Sequence, residues 1–226
     1  MSRIKLNFCG SNNIFNEPLN KKVNGFIQSI LGSDNAYHGT FSDYSISSVQ
    51  GAVWNEDNSY SFPNGCSIYI SSNDQDFINK VVVGVMSNKE ASICGMKFIG
   101  FEVLDYNVYK SYDIVRAISP ILVSTPDRRM LTFKDENFIE VLRTKTIKKL
   151  MLAGIDERAA KSIKFELFHP EKAKTTCTKI GESVNIGSKV MFIISGSRKA
   201  RRTLYNMGIG KCTGFGFGAV SVNNKY

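Results

Sequence analysis

The segment MGIGKCTGFGFGAV, residues 207–220, is the most informative stretch of this sequence. It places five of the chain's 18 glycines within eleven residues: Gly208, Gly210, Gly214, Gly216 and Gly218. Because glycine allows positive φ angles and close approach of another backbone, such density indicates a requirement of the main chain. Exposed N–H groups here would suit phosphates or riboses, and Lys211 adds a point charge. A tight bulged turn before a strand is the alternative explanation.

Two familiar glycine-rich nucleotide motifs do not fit this loop. A dinucleotide fingerprint needs a strand before the glycines and a helix after them, whereas here a helix is predicted before and a strand after. A Walker loop needs Ser or Thr where Cys212 stands and an upstream glycine where Tyr205 stands. Neither dinucleotide binding nor NTP hydrolysis is therefore expected.

The residues before the loop, RKARRTLYNM at 198–207, predict an amphipathic helix. The packing face is formed by Ala200, Leu204 and Met207. The basic face is formed by Arg198, Arg201, Arg202 and Tyr205. With the glycine loop, this helix supplies the predicted RNA-binding residues: Arg198, Lys199, Arg201, Arg202, Gly208, Gly210, Lys211, Gly214 and Gly216.

Outward from this segment, the sequence predicts two passes of strand, helix, two strands, helix and strand. The first pass has strands at 3–9, 44–54, 65–71 and 91–105, with helices at 18–32 and after Asp74. The second has strands at 114–123, 162–168, 174–180 and 188–195, helices at 135–153 and 198–207, and the closing strand AVSV. The last two of the strands between 162 and 195 are expected to form a hairpin. This order predicts an α+β protein of two tandem ferredoxin-like domains, residues 1–113 and 114–226.

Charge is divided unevenly between these halves. Residues 1–115 carry 8 Lys+Arg against 11 Asp+Glu, a net charge of −3, and residues 116–226 carry 21 against 9, a net charge of +12. Concentrated cations attract polyanions because bound phosphates release condensed counterions. The C-terminal half is therefore predicted to bind nucleic acid, with a solvated basic surface or an anionic membrane patch as the alternative.

Several other classes of protein are not expected. The N-terminus lacks the apolar region of a secretory signal, and no run of about 18 uncharged apolar residues is present, so a cytoplasmic protein without membrane association is expected. The five cysteines are scattered without a CxxC pair, which favours reduced structural thiols over a zinc site. No metal and no cofactor is predicted.

At this point the sequence resembles the repeat-associated RNA-binding superfamily of CRISPR systems, and within it the endoribonucleases that process precursor CRISPR RNA. The loop GIGKCTGFGFGAV carries most of the resemblance, supported by SPILV at 119–123 and by Tyr37-His38-Gly39. The resemblance implies RNA held on the basic surface and cleavage on the 3′ side of a repeat hairpin. The products would be a 2′,3′-cyclic phosphate and a 5′-hydroxyl.

Attack by a ribose 2′-hydroxyl needs a base, an acid and positive charge beside the phosphorane. The chain has two histidines, and imidazole titrates near neutrality. His38, in a polar loop, is the predicted general acid or base, while His169 at a strand end before Pro170 is the weaker candidate. Tyr37 is predicted to orient the scissile phosphate or to substitute for a tyrosine that some members of the resembled family place beside the histidine, with packing as its alternative.

The pattern of the resembled family is incomplete here. Some of its members place a tyrosine and a lysine beside the histidine, but the first predicted helix holds no tyrosine, and no lysine closely follows His38. Lys21, Lys22 or Lys211 would have to supply the cation.

Two other functions stay open. A noncatalytic RNA-binding subunit of a CRISPR effector complex has the same fold, and a general double-stranded RNA or DNA binder would need charge alone. The predicted partner is CRISPR repeat RNA, and the sequence leaves open association with other effector subunits and the choice between monomer and homodimer.

Overall fold

A computed structural model describes residues 2–32, 35, 37, 43–104 and 111–222. The N-terminal domain contains β1 (Arg3–Phe8), β2 (Ser11–Phe15), α1 (Asn20–Leu31), β3 (Tyr44–Ile46), β4 (Val53–Trp54), β5 (Tyr60–Phe62), β6 (Cys66–Ser72), α2 (Gln75–Ser87), β7 (Ser92–Ile93) and β8 (Met96–Val103). Its main sheet has the order β3-β6-β1-β8-β7, and a small second sheet has the order β2-β5-β4. The alternation of Ile4, Leu6 and Phe8 in β1 places these side chains in the core between the main sheet and the helices.

The C-terminal domain repeats this plan. It contains β9 (Tyr112–Ala117), β10 (Val123–Ser124), β11 (Met130–Leu131), α3 (Phe138–Leu152), α4 (Glu157–Lys161), β12 (Lys164–Phe168), β13 (Lys174–Ile180), β14 (Ser183–Lys189), β15 (Met191–Ser195), α5 (Arg198–Met207) and β16 (Val220–Val222). Its main sheet has the order β12-β15-β9-β16, which is the ferredoxin-like arrangement also formed by β3-β6-β1-β8. The predicted α+β class and tandem ferredoxin-like fold are confirmed. The first strand of this domain begins at Tyr112, two residues before the predicted boundary.

One strand prediction and one hairpin prediction were wrong, whereas the strand predicted at 174–180 is confirmed as β13. The strand predicted at 44–54 is divided into β3 and β4, which belong to different sheets. The strand predicted at 174–180 pairs with β14, which the sequence analysis did not separate from β15, whereas β15 pairs with β12 and β9. The β13–β14 hairpin is thus an addition to the ferredoxin-like sheet.

Among the described residues, no helix is both long and apolar enough to cross a membrane.

Candidate nucleic-acid interface

The glycine loop lies at the interface between the two domains, with its backbone packed on α1 and β3. Gly214 is so close to the ring of Tyr44 that an added Cβ would lie 2.7 Å from it, and a side chain at Gly216 would collide with Asn20. Asn20 donates a hydrogen bond from Nδ2 to the carbonyl of Phe215 at 2.9 Å. We call this interface, formed by the glycine loop and α5 against α1, β3 and β6, the domain seam.

Four backbone N–H groups of the loop form hydrogen bonds within the protein. Ile209 donates to Gly218, Lys211 to Leu122, Phe215 to Cys212 and Gly218 to Pro120, at 2.9–3.0 Å. The buried glycines are Gly208, Gly214, Gly216 and Gly218. Gly210, by contrast, is only partly buried. RNA binding through the amides of Gly208, Gly210, Gly214 and Gly216 stays a prediction, and the glycines also allow the two domains to meet at backbone distance.

Part of the basic face predicted for α5 is buried, and the rest is exposed. Arg201 is only 4% exposed and forms an ion pair with Asp113 of β9. Tyr205 is also buried, and the guanidinium of Arg3 in β1 lies over its ring at 4.3 Å. Both residues are covered because α5 packs on its own domain and on the N-terminal domain, so Arg201 is corrected from an RNA contact to a structural residue. Only three of the predicted cations of α5 are exposed: Arg198, Lys199 and Arg202.

Lys211 extends from the glycine loop into solvent, next to the C-terminal half of α3. The pKa of Lys145 is lowered by burial and then by the nearby charges of Lys211 and Lys148. Three ammonium groups are therefore gathered on one exposed surface, where they repel one another unless an anion lies between them. We call this group the α3–loop lysines: Lys145, Lys148 and Lys211.

Lys149, one turn beyond Lys145 on α3, points into the seam. Its Nζ donates to the carbonyl of Met207 at 2.9 Å and to Oγ1 of Thr213 at 3.1 Å. Thr213 in turn donates to the carbonyl of Tyr44 at 3.0 Å, which joins α3, the glycine loop and β3. Burial lowers the pKa of Lys149 to about 7, although the negative charge of Asp43 acts in the opposite direction.

Tyr37 is held against α2. Its ring packs edge-on to Phe77, with ring centroids 4.9 Å apart, and its hydroxyl donates to Oδ2 of Asp74 at 2.8 Å. Burial, followed by the hydrogen bond and charge of Asp74, raises the pKa of Tyr37 to about 12. The phenol therefore stays protonated at neutral pH with its proton directed to Asp74. These contacts agree with the packing alternative for Tyr37, and its direct contact with the scissile phosphate stays a prediction.

The structure describes only one of the two histidines, His169. His38 lies outside the described residues; its described neighbours along the chain are Tyr37 and Asp43. His169, at the end of β12, has its Nδ1 2.8 Å from Oε1 of Glu171. Within the described residues, no group of three or more His, Cys, Asp or Glu side chains is placed to hold a metal ion.

Sequence reasoning missed Lys145, Lys148 and Lys149. The segment KTIKKL at 145–150 was interpreted only for its apolar packing pairs, yet its lysines at spacings of three and four residues lie on one side of a helix. That spacing, close to a predicted glycine loop bearing Lys211, was the available signal.

Comparisons with known proteins agree with this architecture. The family model described as CRISPR associated protein Cas6, C-terminal, matches residues 104–222. A putative CRISPR-associated endoribonuclease-like protein, Cas6nc, from Pyrococcus horikoshii is 29% identical over 69% of this chain and 68% of that protein. A putative CRISPR-associated endoribonuclease-like protein, Cas6, from Pyrococcus furiosus is also 29% identical, over 69% of this chain and 67% of its own length.

Solved structures share the fold over nearly the whole chain. A structure of a Cas6-related protein from Pyrococcus furiosus superposes with a TM-score of 0.85 at 22% identity, covering 100% of this chain and 99% of the other. A structure described as an RAMP protein binding different RNA substrates gives a TM-score of 0.84 at 22% identity, covering 99% and 100%. These structures thus agree with the tandem ferredoxin-like fold. The chain belongs to the Cas6 family.

Proposed function

We propose that this protein binds CRISPR repeat RNA and cuts it by attack of a ribose 2′-hydroxyl on the adjacent phosphate, with His38 as general acid or base. The reaction leaves a 2′,3′-cyclic phosphate and a 5′-hydroxyl, and in this proposal it needs no metal ion. Family membership supports the class of activity, since curated relatives carry the name of endoribonuclease-like proteins.

The observation that carries the proposal is the surroundings of the segment that contains His38. Tyr37 anchors one flank to α2 through Asp74. Asp43, the first described residue after His38, lies close enough to Lys149 for its charge to act on the pKa of that lysine. The described residues on either side of His38 therefore approach α2 and α3. His169 is hydrogen-bonded to Glu171, and the family resemblance includes His38 and not His169, so His38 is the better candidate.

The α3–loop lysines supply the positive charge in this proposal. Lys149 interacts with Asp43 and also with Cys212, the neighbour of Lys211. Lys211 is therefore adjacent in the chain to a residue that, like Asp43, lies close to Lys149. Of the three lysines considered from sequence, Lys21 instead lies against the turn of the β13–β14 hairpin at Gly181, and Lys22 lies near Cys94. Lys211 is thus the proposed cation beside the phosphorane.

The test is cleavage of end-labelled repeat RNA by purified protein in EDTA, comparing wild type with His38→Ala and with His169→Ala as the matched control. We expect cleavage by wild type and by His169→Ala, with a cyclic phosphate at the new 3′ end. His38→Ala should lose about 10²-fold or more in single-turnover rate while its affinity stays within about twofold. Tight binding without cleavage by wild type would instead identify a noncatalytic RNA-binding subunit.

A further inference from the structure

A cleft of about 670 Å³ lies on the face of the molecule that carries the small β2-β5-β4 sheet. Its floor is the domain seam at Pro120 and Phe217, and one end is closed by the start of α1. One wall is the small sheet, and the opposite wall is the β13–β14 hairpin. Both walls are additions to the two ferredoxin-like sheets, so the cleft is built by segments that the core fold does not require.

The small sheet presents an exposed indole to this cleft. Trp54 is 66% exposed, although it is a large aromatic residue on a short strand. Its ring lies against buried Tyr60, with centroids 4.8 Å apart, and Tyr60 is fixed because its hydroxyl donates to the carbonyl of Glu17. The indole is therefore supported from below by a rigid aromatic residue while much of its surface stays open.

The opposite wall is cationic. Lys179 of β13, which is exposed, and Lys189 of β14 line the cleft. The pKa of Lys189 is lowered by burial and by the neighbouring charges of Arg116 and Lys174, which shows that positive charge is concentrated beside the cleft. Thr176 and Thr178 of β13 also line this wall. An aromatic platform therefore faces a wall that carries two lysines, across a space large enough for a nucleotide.

We propose that this cleft binds an unpaired nucleotide of the RNA, with its base stacked on Trp54 and its phosphates beside Lys179 and Lys189. Stacking on aromatic side chains combined with cations along the backbone is the usual chemistry of single-strand recognition. A base inside an A-form duplex is covered on both faces by its neighbours, so duplex RNA cannot use this platform. The inference rests on the proposed function only in taking RNA as the ligand.

The test uses the fact that Trp54 is the single tryptophan of the chain. Its fluorescence is followed while the protein is titrated with an unstructured octaribonucleotide, the same sequence as duplex RNA, and the same sequence as single-stranded DNA. We expect quenching that saturates with the single-stranded RNA and little quenching with the duplex. A similar response to single-stranded DNA would mean that the platform reads a base and not the sugar, which still supports the proposal. Equal quenching by duplex and single strand, or binding without quenching, would overturn it.

Substitutions give a second readout that does not depend on fluorescence. Trp54→Ala should bind the octamer about five- to 100-fold more weakly in filter binding, and Trp54→Phe should retain most of the affinity. Lys179→Ala and Lys189→Ala should weaken binding and reduce its salt dependence, whereas Lys89→Ala, an exposed lysine between α2 and β7, serves as control. Because Trp54 is exposed, Trp54→Ala should remain folded, which circular dichroism checks. Wild-type affinity in Trp54→Ala would refute the stacking role.

The proposal for the cleft and the proposal for the cleavage site can be refuted independently. His38→Ala should show the same quenching as wild type. Quenching by a protein that does not cut repeat RNA would support the cleft while rejecting the nuclease. Cleavage without any quenching would support the nuclease while rejecting the cleft. Absence of RNA binding by any assay would overturn both.

Discussion

The glycine loop and α5, which form the C-terminal side of the domain seam, are mostly buried, whereas the α3–loop lysines of the same basic half are exposed. The seam takes in the glycine loop and Arg201, the residues most prominent in the sequence, and buries most of them. The α3–loop lysines attract little notice in the sequence and are exposed together. Glycine density therefore marks close approach of two backbones, whereas clustered exposed charge marks a surface for a ligand. Substitutions in the seam should lower stability, and substitutions of the lysines should lower RNA affinity.

The largest effect is expected at the buried ion pair. Arg201→Ala removes the guanidinium from buried Asp113 and should lower the free energy of unfolding by ~3–5 kcal/mol, because a buried carboxylate loses its counter-charge. The adjacent Arg202→Ala, at an exposed position, should change it by no more than ~0.5 kcal/mol. Urea denaturation followed by circular dichroism measures both. Equal small effects would show that α5 presents its whole basic stretch to solvent.

The second largest loss of stability is expected at the glycines of the domain seam. Gly216→Ala places a methyl group against Asn20 at a φ of +81°, and we expect a loss of ~2–4 kcal/mol. Gly154→Ala is the matched control, since it has a similar φ of +77° but open space around the Cβ position, and it should cost ~1 kcal/mol. The difference between the two variants measures packing between domains. If both lose the same amount, the loop glycines serve only backbone conformation.

The third effect is a dependence of the free energy of unfolding on pH. Since the pKa of Lys149 is about 7 in the folded protein, the unfolded chain binds one more proton than the folded chain between about pH 7 and its ordinary pKa near 10.5. Stability contributed through this group therefore rises as pH increases across that range, by at least ~1 kcal/mol. Lys149→Met should lack this rise, and the exposed Lys148→Met should keep it. Denaturation midpoints at pH 7 and pH 9 provide the comparison.

Much of the fold follows from the sequence because each strand and helix has its own periodicity. Ile4, Leu6 and Phe8 alternate in β1 as predicted, and the order of elements gives the tandem ferredoxin-like arrangement. Periodicity cannot show that a chain leaves one sheet for another, so the division of residues 44–54 between two sheets was missed. A helical pattern likewise assumes a single packing face, whereas α5 is covered from two sides, and Arg201 was therefore assigned to the wrong environment.

For the candidate site, composition identified the basic half and the resemblance identified the family. Neither predicted which cationic side chains lie together in the structure. Lys145 and Lys211 are 66 positions apart in the sequence and meet only because the glycine loop returns past α3. Trp54 lies in a stretch that periodicity treats as ordinary strand and turn, and its exposure depends on the tertiary placement of the small sheet. The positions of these side chains depend on tertiary packing, and no local pattern in the sequence predicts them.

The smallest effects are expected at the α3–loop lysines. Lys145→Gln, Lys148→Gln and Lys211→Gln should each weaken binding of repeat RNA a few-fold and leave the free energy of unfolding within ~0.5 kcal/mol of wild type. Each should also reduce the slope of log affinity against log salt by ~0.7, the value for one phosphate contact to a single strand. Lys164→Gln, an equal loss of charge at an exposed position on β12, should leave the slope unchanged. If Lys164→Gln reduces the slope as much as Lys211→Gln does, the RNA responds to the net charge of the domain, and the exposed cluster has no special place in binding.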